Sequence, residues 1–438
     1  MSKIIRLEEV MELKGGDNHH QRASLVRINN FKNEPFTEIE LYNNKVDLGK
    51  KVRTPGSTNI FDISACLRTS LNLGDFYKGT ETEYIAIASK HTRPVVIAKG
   101  KTQLEATIKA IAGDLNSPFG GFWGFNKPLD YDTAKFLDKT FFEGIIAPDF
   151  EKNAIEKLTD TTKIKSHQNR FLIKTGDIKL SDLNILDLNI QFTPIGYGII
   201  QDYDKPYKVK EEAVVVTSNK GKTDIISLDK KILDDIEFAG NVAMYLNSNL
   251  VFFVYNGAIA GLGDGCGSRV VAAEKARMML DRSAYFALAE NTDKAWKKVL
   301  YDTPFKREEF EFIGNVKKIT AGFSDAFYPK LDGFIETTGI DRIDKRFQDL
   351  KFEYTEDGEI KVFIPKRENF SEGYNHALLP EVIVQPGGSL GDKLVLPLAE
   401  EYNIKMVFTM TPEVYNKYKE KGPGKGISGR RFFSHVRG

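Results

Sequence analysis

Lys90 and His91 stand side by side where a short apolar run, 84–88, gives out, and a second apolar run follows at 94–98. An ammonium beside an imidazole suits a reaction that polarises an oxygen and moves a proton, with the histidine as general base. Taken alone, such a pair is more often solvated surface. A second candidate is the stretch 261–269, Gly-Leu-Gly-Asp-Gly-Cys-Gly-Ser-Arg. It is not G-x-G-x-x-G, and it lacks the Gly-Lys-Ser/Thr ending of a P-loop, so a dinucleotide fold or an NTPase is disfavoured. What remains is a turn of small residues entering a helix, with Ser268 as N-cap and Arg269 in the first turn. That is either a seat for a phosphate or carboxylate or a tight turn with a surface arginine. Asp325 lies in the aromatic-rich run 323–329, where a carboxylate calls for burial with a partner. Metal chemistry has little to stand on: His19 and His20 lack a third ligand at sensible spacing, and His167 and His376 have no motif around them. The two cysteines, Cys66 and Cys266, are far apart with no C-x-x-C, which excludes a thiolate-rich zinc site or a disulfide framework and suits a reducing compartment.

The elements that must position these residues alternate between strand-like and helix-like patterns, the mark of an α/β protein. The runs 84–88 and 94–98 read as strands, 103–112 as a helix, and 116–125 as a loop leading into an extended aromatic segment. Residues 251–260 read as a hairpin turning at Asn256-Gly257, the sequence favoured in two-residue loops. A long helix is expected over 270–289. With 438 residues and 41% hydrophobic content, the chain has material for two or three domains at roughly 150 residues each. Its 62 basic and 61 acidic residues are interspersed and leave a net charge of +1, so neither nucleic acid nor an anionic membrane is indicated as a partner. The first six residues meet charge at once, and the apolar stretch 250–262 is too short and too interrupted to span a bilayer. A cytoplasmic protein is expected.

In order along the chain, these segments resemble the AICAR transformylase domain of the bifunctional purine-biosynthesis family that also carries IMP cyclohydrolase. Lys90-His91-Thr92-Arg93-Pro94 is similar to its Lys-His-x-x-Pro segment, residues 114–126 to its Ser-x-Phe-Gly-Gly loop, and 145–148 to its Ile-Ile-Ala-Pro run. Ser248-Asn249 and 263–269 resemble its Ser-Asn and Gly-x-Gly-x-x-Ser-Arg stretches. The runs 323–329, Gln385-Pro386-Gly387-Gly388-Ser389, 406–409 and 431–435 complete the series.

The resemblance implies formyl transfer from 10-formyltetrahydrofolate to the 5-amino group of AICAR, without a metal. It makes His91 the proton-transfer residue, Lys90 the cation at the formyl oxygen or leaving nitrogen, and Asn249 a holder of the oxyanion or of His91. Lys14, Asn18, Gln21, Arg269, Arg431 and His435 become nucleotide-binding residues. Phe119, Gly120, Asp325, Gln385, Pro386, Gly387 and Ser389 become folate-side positions. The implied fold is two cytidine-deaminase-like three-layer α/β/α subdomains without zinc, 1–198 and 199–438, with a segment near 290–318 packing back on the first. Insertions are expected at 342–376 and 412–429, the second either a lid, a phosphate-gripping loop or a solvated excursion. A homodimer with shared active sites is implied. No cyclohydrolase domain precedes the resembling region, so a stand-alone enzyme with a separate IMP cyclohydrolase is expected.

Departures from the family pattern keep alternatives open. Its N-terminal Arg-Tyr-Gly-x-Asn-Pro-His-Gln is Lys14-Gly15-Gly16-Asp17-Asn18-His19-His20-Gln21 here, which exchanges a bidentate guanidinium for an ammonium. Its Ala-Asn after Lys-His is Thr92-Arg93, and an inward Arg93 would put a further cation beside His91. The alternatives are a non-catalytic folate- or nucleotide-binding relative, and a formyltransferase with a different aminated substrate.

Overall fold

The central strands of the large sheet alternate side chains between two buried faces, so they read as nearly continuous apolar runs. The computed structural model describes residues 6–14, 21–29, 40–41, 55–160, 162, 170–178, 188–192, 198–202, 204–217, 225–342, 344, 347, 351–354, 360–363 and 379–432. Two strands, β1 (Arg6–Glu12) and β2 (Ser24–Asn29), form a separate antiparallel hairpin. They are followed by β3 (Glu40–Leu41), β4 (Tyr84–Lys90), β5 (Arg93–Gly100), β6 (Phe122–Phe125), β7 (Gly144–Ala147) and β8 (Phe171–Lys174). After a small hairpin, β9 (Leu188–Phe192) with β10 (Gly198–Asp202), come β11 (Val214–Val215), β12 (Val251–Tyr255), β13 (Ala258–Gly263) and β14 (Ile319–Ser324). The last are β15 (Lys351–Tyr354), β16 (Ile360–Phe363), β17 (Pro380–Gln385) and β18 (Lys405–Phe408).

Twelve of these strands form one mixed sheet in the order β11-β18-β17-β14-β12-β13-β5-β4-β6-β7-β8-β3. The order contains a repeat. Beginning at the seam, β5-β4-β6-β7-β8 and β13-β12-β14-β17-β18 each read second, first, third, fourth, fifth in chain order. In each, a hairpin pairs antiparallel with the third strand, and the third, fourth and fifth run parallel. The halves join where β5 and β13 run antiparallel, through Ala98 and Ala258.

Ala86, Ala88, Val96, Ala98, Val251 and Phe253 face one side, against the helices Gln103–Gly113 and Arg269–Leu280. Ile85, Ile87, Ile97, Phe252 and Val254 face the other, against the helices Ser57–Phe76 and Lys230–Ala243. The result is a mixed α/β protein with helices on both faces of a large sheet. The segment after Leu280 packs across the first half: Tyr285 donates to Lys109 O at 2.9 Å, and the Phe136 and Phe305 rings stack at 5.2 Å. No helix among the described residues is long and apolar enough to cross a membrane.

One reading of the sequence changes. The helix expected over 270–289 breaks after Leu280, and a second helix starts at Ala284 with Ser283 as its N-cap. The insertion at 342–376 falls mostly outside the described residues, apart from the β15–β16 hairpin.

The helix Arg269–Leu280 lies unusually close to β13. A Cβ on Gly263 would stand 1.9 Å from Ala272 O, and one on Gly261 2.6 Å from Ala276 O. Gly263→Ala therefore forces that helix off the sheet, with an expected loss of about 1–3 kcal/mol of stability. Thermal unfolding of the variant beside wild type checks this.

Candidate functional site

One end of the sheet gathers most of the residues that the sequence singled out. β4 and β5 meet there in a two-residue turn made of His91 and Thr92, both with positive φ, 58° and 72°. Pairing of Ser89 with Phe122 sets the loop before β6, including Phe119 and Gly120, beside that turn. Pairing of Val251 with Gly263 and with Ser324 brings the entry to β12, the exit of β13 and the exit of β14 to the same end. Parallel β17 and β18 then add Gln385 and Phe408 at their carboxyl ends, where open α/β sheets place ligands. Lys90, His91, Phe119, Gly120, Asn249, Arg269, Asp325 and the 385–389 turn thus share one rim.

Within the first half, Lys90 is half-buried and its Nζ donates to Phe119 O at 2.8 Å, which ties the lysine to the aromatic loop. Phe119 is 56% exposed and packs on Phe141 with ring centres 5.4 Å apart. His91 is exposed at the tip of the turn. Beneath it lies Asp62, which sequence reading missed. Its Oδ1 accepts the Thr92 amide at 2.7 Å, and burial pushes its carboxyl above the ordinary value against the pull of the Thr92 and His91 amides. Lys14 is exposed, and its amide donates to Pro55 O just ahead of the helix that carries Asp62. Gln21 is exposed as well, while Asn18 and His435 lie outside the described residues.

The second half supplies a loop pair. Residues 247–249 run beside 264–266 through Gly265 N to Asn247 O, 2.8 Å, and Asn249 Nδ2 to Cys266 O, 2.9 Å. Ser268 caps the helix Arg269–Leu280, its hydroxyl accepting Val271 N at 3.2 Å, as its sequence position indicates. Arg93 reaches over from the first half to this loop: its Nη1 bonds Asp264 Oδ2 at 2.9 Å, and Lys275 Nζ lies 3.3 Å from Asp264 Oδ1. The guanidinium is therefore committed to a buried carboxylate and joins the two halves, in place of the role beside His91 that an inward Arg93 would have had.

Arg269 is 7% exposed, and its Nη1 bonds both Leu250 O, at 2.6 Å, and Asp325 Oδ1. Asp325 is fully buried, its Oδ1 also accepts Leu250 N at 2.9 Å, and its Oδ2 has no hydrogen-bond partner among the described residues. Two residues that the sequence assigned to different ligands thus form one ion pair. Arg431 is exposed with its guanidinium over the Phe327 ring, 5.1 Å from the centroid. Among the described residues no three His, Cys, Asp or Glu side chains are grouped to hold a metal ion.

The 385–389 turn is covered by the 412–429 segment. That segment is a helix, Pro412–Lys421, followed by a glycine-rich strap whose Gly424 and Gly429 amides donate to Gly388 O (3.1 Å) and Pro386 O (2.9 Å). Gly387 and Gly388 both have positive φ, and a Cβ on Gly388 would stand 2.1 Å from Ile427 O. Asp392 anchors the arrangement, accepting Gly388 N at 2.7 Å and the Tyr418 hydroxyl at 3.1 Å. Burial raises its pKa to about 6 despite these bonds. A raised folded-state value means that the group's contribution to stability is fully present below about pH 4 and is lost as pH rises through about 6. Asp392→Asn keeps an acceptor without the charge, so its melting temperature should exceed wild type at pH 7.5, and the gain should vanish near pH 4.

Comparison with known proteins bears on this geometry. The family model described as "AICARFT/IMPCHase bienzyme" matches residues 2–279, well over half of the chain. The chain belongs to this family. Among its relatives, the bifunctional purine biosynthesis protein PurH of Chlorobium phaeovibrioides is 26% identical over 410 residues, covering 93% of this chain and 59% of the relative. The PurH of Caldicellulosiruptor saccharolyticus is 26% identical over 407 residues, covering 92% and 59%. The chain thus spans under two thirds of the length of these relatives.

Proposed function

We propose that this rim transfers a formyl group from 10-formyltetrahydrofolate to the 5-amino group of AICAR, giving FAICAR in purine biosynthesis. The observation that carries the reading is the convergence of Lys90 and His91 from one half with Asn249 and Arg269 from the other on a single rim, in a chain of the AICARFT/IMPCHase family.

The 5-amino group is a weak nucleophile because its lone pair is delocalised into the imidazole ring. Attack on the formyl carbon forms the new C–N bond and a tetrahedral oxyanion, and the amine proton passes to His91. Lys90, whose ammonium is held at the mouth of the aromatic loop, and the Asn249 amide supply positive charge and a donor for that oxyanion. Collapse breaks the bond to N10 of the folate, and the electron pair on that nitrogen takes up the proton that the His91 imidazolium releases, which restores the neutral imidazole. The backbone amides at the start of the helix Arg269–Leu280, with Lys14 and Arg431, suit the nucleotide phosphate. Phe119, Gly120 and the 385–389 turn suit the folate, with Arg269 and Asp325 as a buried brace between the two ligands.

We further read 1–198 and 199–438 as two cytidine-deaminase-like units, which the repeated strand order supports, and the working protein as a homodimer. An assay of the purified protein with both substrates, following release of tetrahydrofolate, tests the reaction. Turnover is expected, and saturable binding of both ligands without turnover would overturn it.

A further inference from the structure

His91 and Thr92 hold left-handed backbone conformations although each carries a Cβ. Such a conformation costs roughly 1–2 kcal/mol per residue, and two-residue turns of this kind favour Asn-Gly. The second half of the protein has that sequence in the equivalent hairpin: Asn256 and Gly257, with φ of 50° and 72°, join β12 to β13.

Both turns rest on a carboxylate from the helix that precedes the hairpin. Asp235, the sixth residue of the helix Lys230–Ala243, accepts Asn256 N at 2.8 Å and Gly257 N at 2.6 Å. Asp62, the sixth residue of the helix Ser57–Phe76, accepts Thr92 N at 2.7 Å, and the His91 amide bonds it too. Asp62 is 5% exposed and Asp235 1%. Ser89 adds to the first support: its hydroxyl lies 3.0 Å from Arg93 O and 3.5 Å from Asp62 Oδ1. The same device therefore occurs twice. In the second half it holds a turn that would form readily by its own sequence, and in the first it holds one that would not.

We propose that Asp62 is a positioning residue for His91: by accepting the amides of the turn it holds the imidazole at the rim in the orientation the reaction needs. The proposal rests on the formyl-transfer reading, with Asp62 touching the backbone of the turn rather than the reacting atoms. Its loss should fall on kcat and spare substrate affinity.

The test compares Asp62→Ala, Asp62→Asn, Asp235→Ala and Thr92→Gly in the Asp62→Ala background. Asp62→Ala should lower kcat about 30-fold with both KM values within about twofold. Asp62→Asn keeps an oxygen acceptor for Thr92 N and should stay within about fivefold of wild type. Thr92→Gly, which adopts positive φ without strain, should restore much of the activity lost by Asp62→Ala. Asp235→Ala should lower the melting temperature while kcat stays within about twofold of wild type. An active wild type whose Asp62→Ala variant has unchanged kcat would overturn the proposal alone, as would equal losses in the Asp62 and Asp235 variants. Amide exchange over 89–94 separates this from failure of the reaction itself. Should wild type show no turnover, the catalytic part falls with the formyl-transfer reading, while faster exchange in Asp62→Ala upholds the anchor. Unchanged exchange overturns the anchor in either case.

Discussion

His91→Ala should lower turnover with 10-formyltetrahydrofolate and AICAR by about a hundredfold or more while leaving nucleotide affinity within about twofold. The argument is geometric. The imidazole sits at the exposed tip of a turn whose backbone is held from beneath by Asp62, and the Lys90 ammonium next to it is fixed on Phe119 O. Removing a side chain that is exposed leaves no cavity, so the fold and the ligand contacts of the other half persist. Only the proton acceptor is lost. Steady-state kinetics together with equilibrium binding of the nucleotide separate the two effects, and near wild-type turnover would refute the assignment of His91.

Asp325→Ala should have the largest effect on stability. The carboxylate is fully buried, takes the Leu250 amide and pairs with an arginine that is itself 7% exposed. Truncating it strands the Arg269 charge without a partner, a change that typically costs about 3–5 kcal/mol. Because the bonds cross from the helix after β13 to the exit of β14 by way of Leu250, the damage also reaches the entry to β12, where Asn249 sits. Arg269→Met combined with Asp325→Leu removes both charges and should recover a good part of the loss in chemical or thermal unfolding. A double variant as unstable as Asp325→Ala would show that packing, rather than the stranded charge, dominates.

Local patterns in the sequence pointed to the parts of the fold that are built locally. The Asn256-Gly257 turn, the Ser268 cap and the strand ending at Lys90 depend on neighbours within a few residues, and the structure has each of them. The family motifs supplied Asn249, Gln385 and Ser389, which no periodicity would have singled out. Long-range partners were not legible. Asp62 looks like an ordinary polar residue of an amphipathic helix, and its role depends on a turn whose Thr92 lies 30 residues further along the chain. The one signal that could have found it is the internal repeat, in which Asp235 stands at the same helical position ahead of a turn that is easy to recognise. Arg93 and Asp264 are 171 positions apart, and no spacing rule connects them. The helix break at 281–283 was missed because Ser283 reads equally well as a helix residue or as a cap until tertiary packing decides.

The antiparallel seam between β5 and β13 has a consequence for how the protein can be divided. Because the two halves run in opposite directions across it, equivalent positions in each half lie on opposite rims. Gln103 and Asn126 occupy, on the far rim, the places that Arg269 and Asp325 occupy on this one: each pair is the first residue of the helix after the hairpin and the first polar residue beyond the third strand. Asn126 even accepts the Ile85 amide at 2.8 Å, as Asp325 accepts that of Leu250. At these two positions the far rim keeps the backbone bond but has uncharged amides in place of the ion pair, with Gln103 donating to Lys127 O and Pro128 O instead. Neither half therefore contains a complete set of the residues discussed: one holds the lysine and histidine, the other the asparagine and the buried arginine. Two fragments cut between the halves would each carry only part of that set, and the Ala98–Ala258 pairing lies on the seam across which they would rejoin.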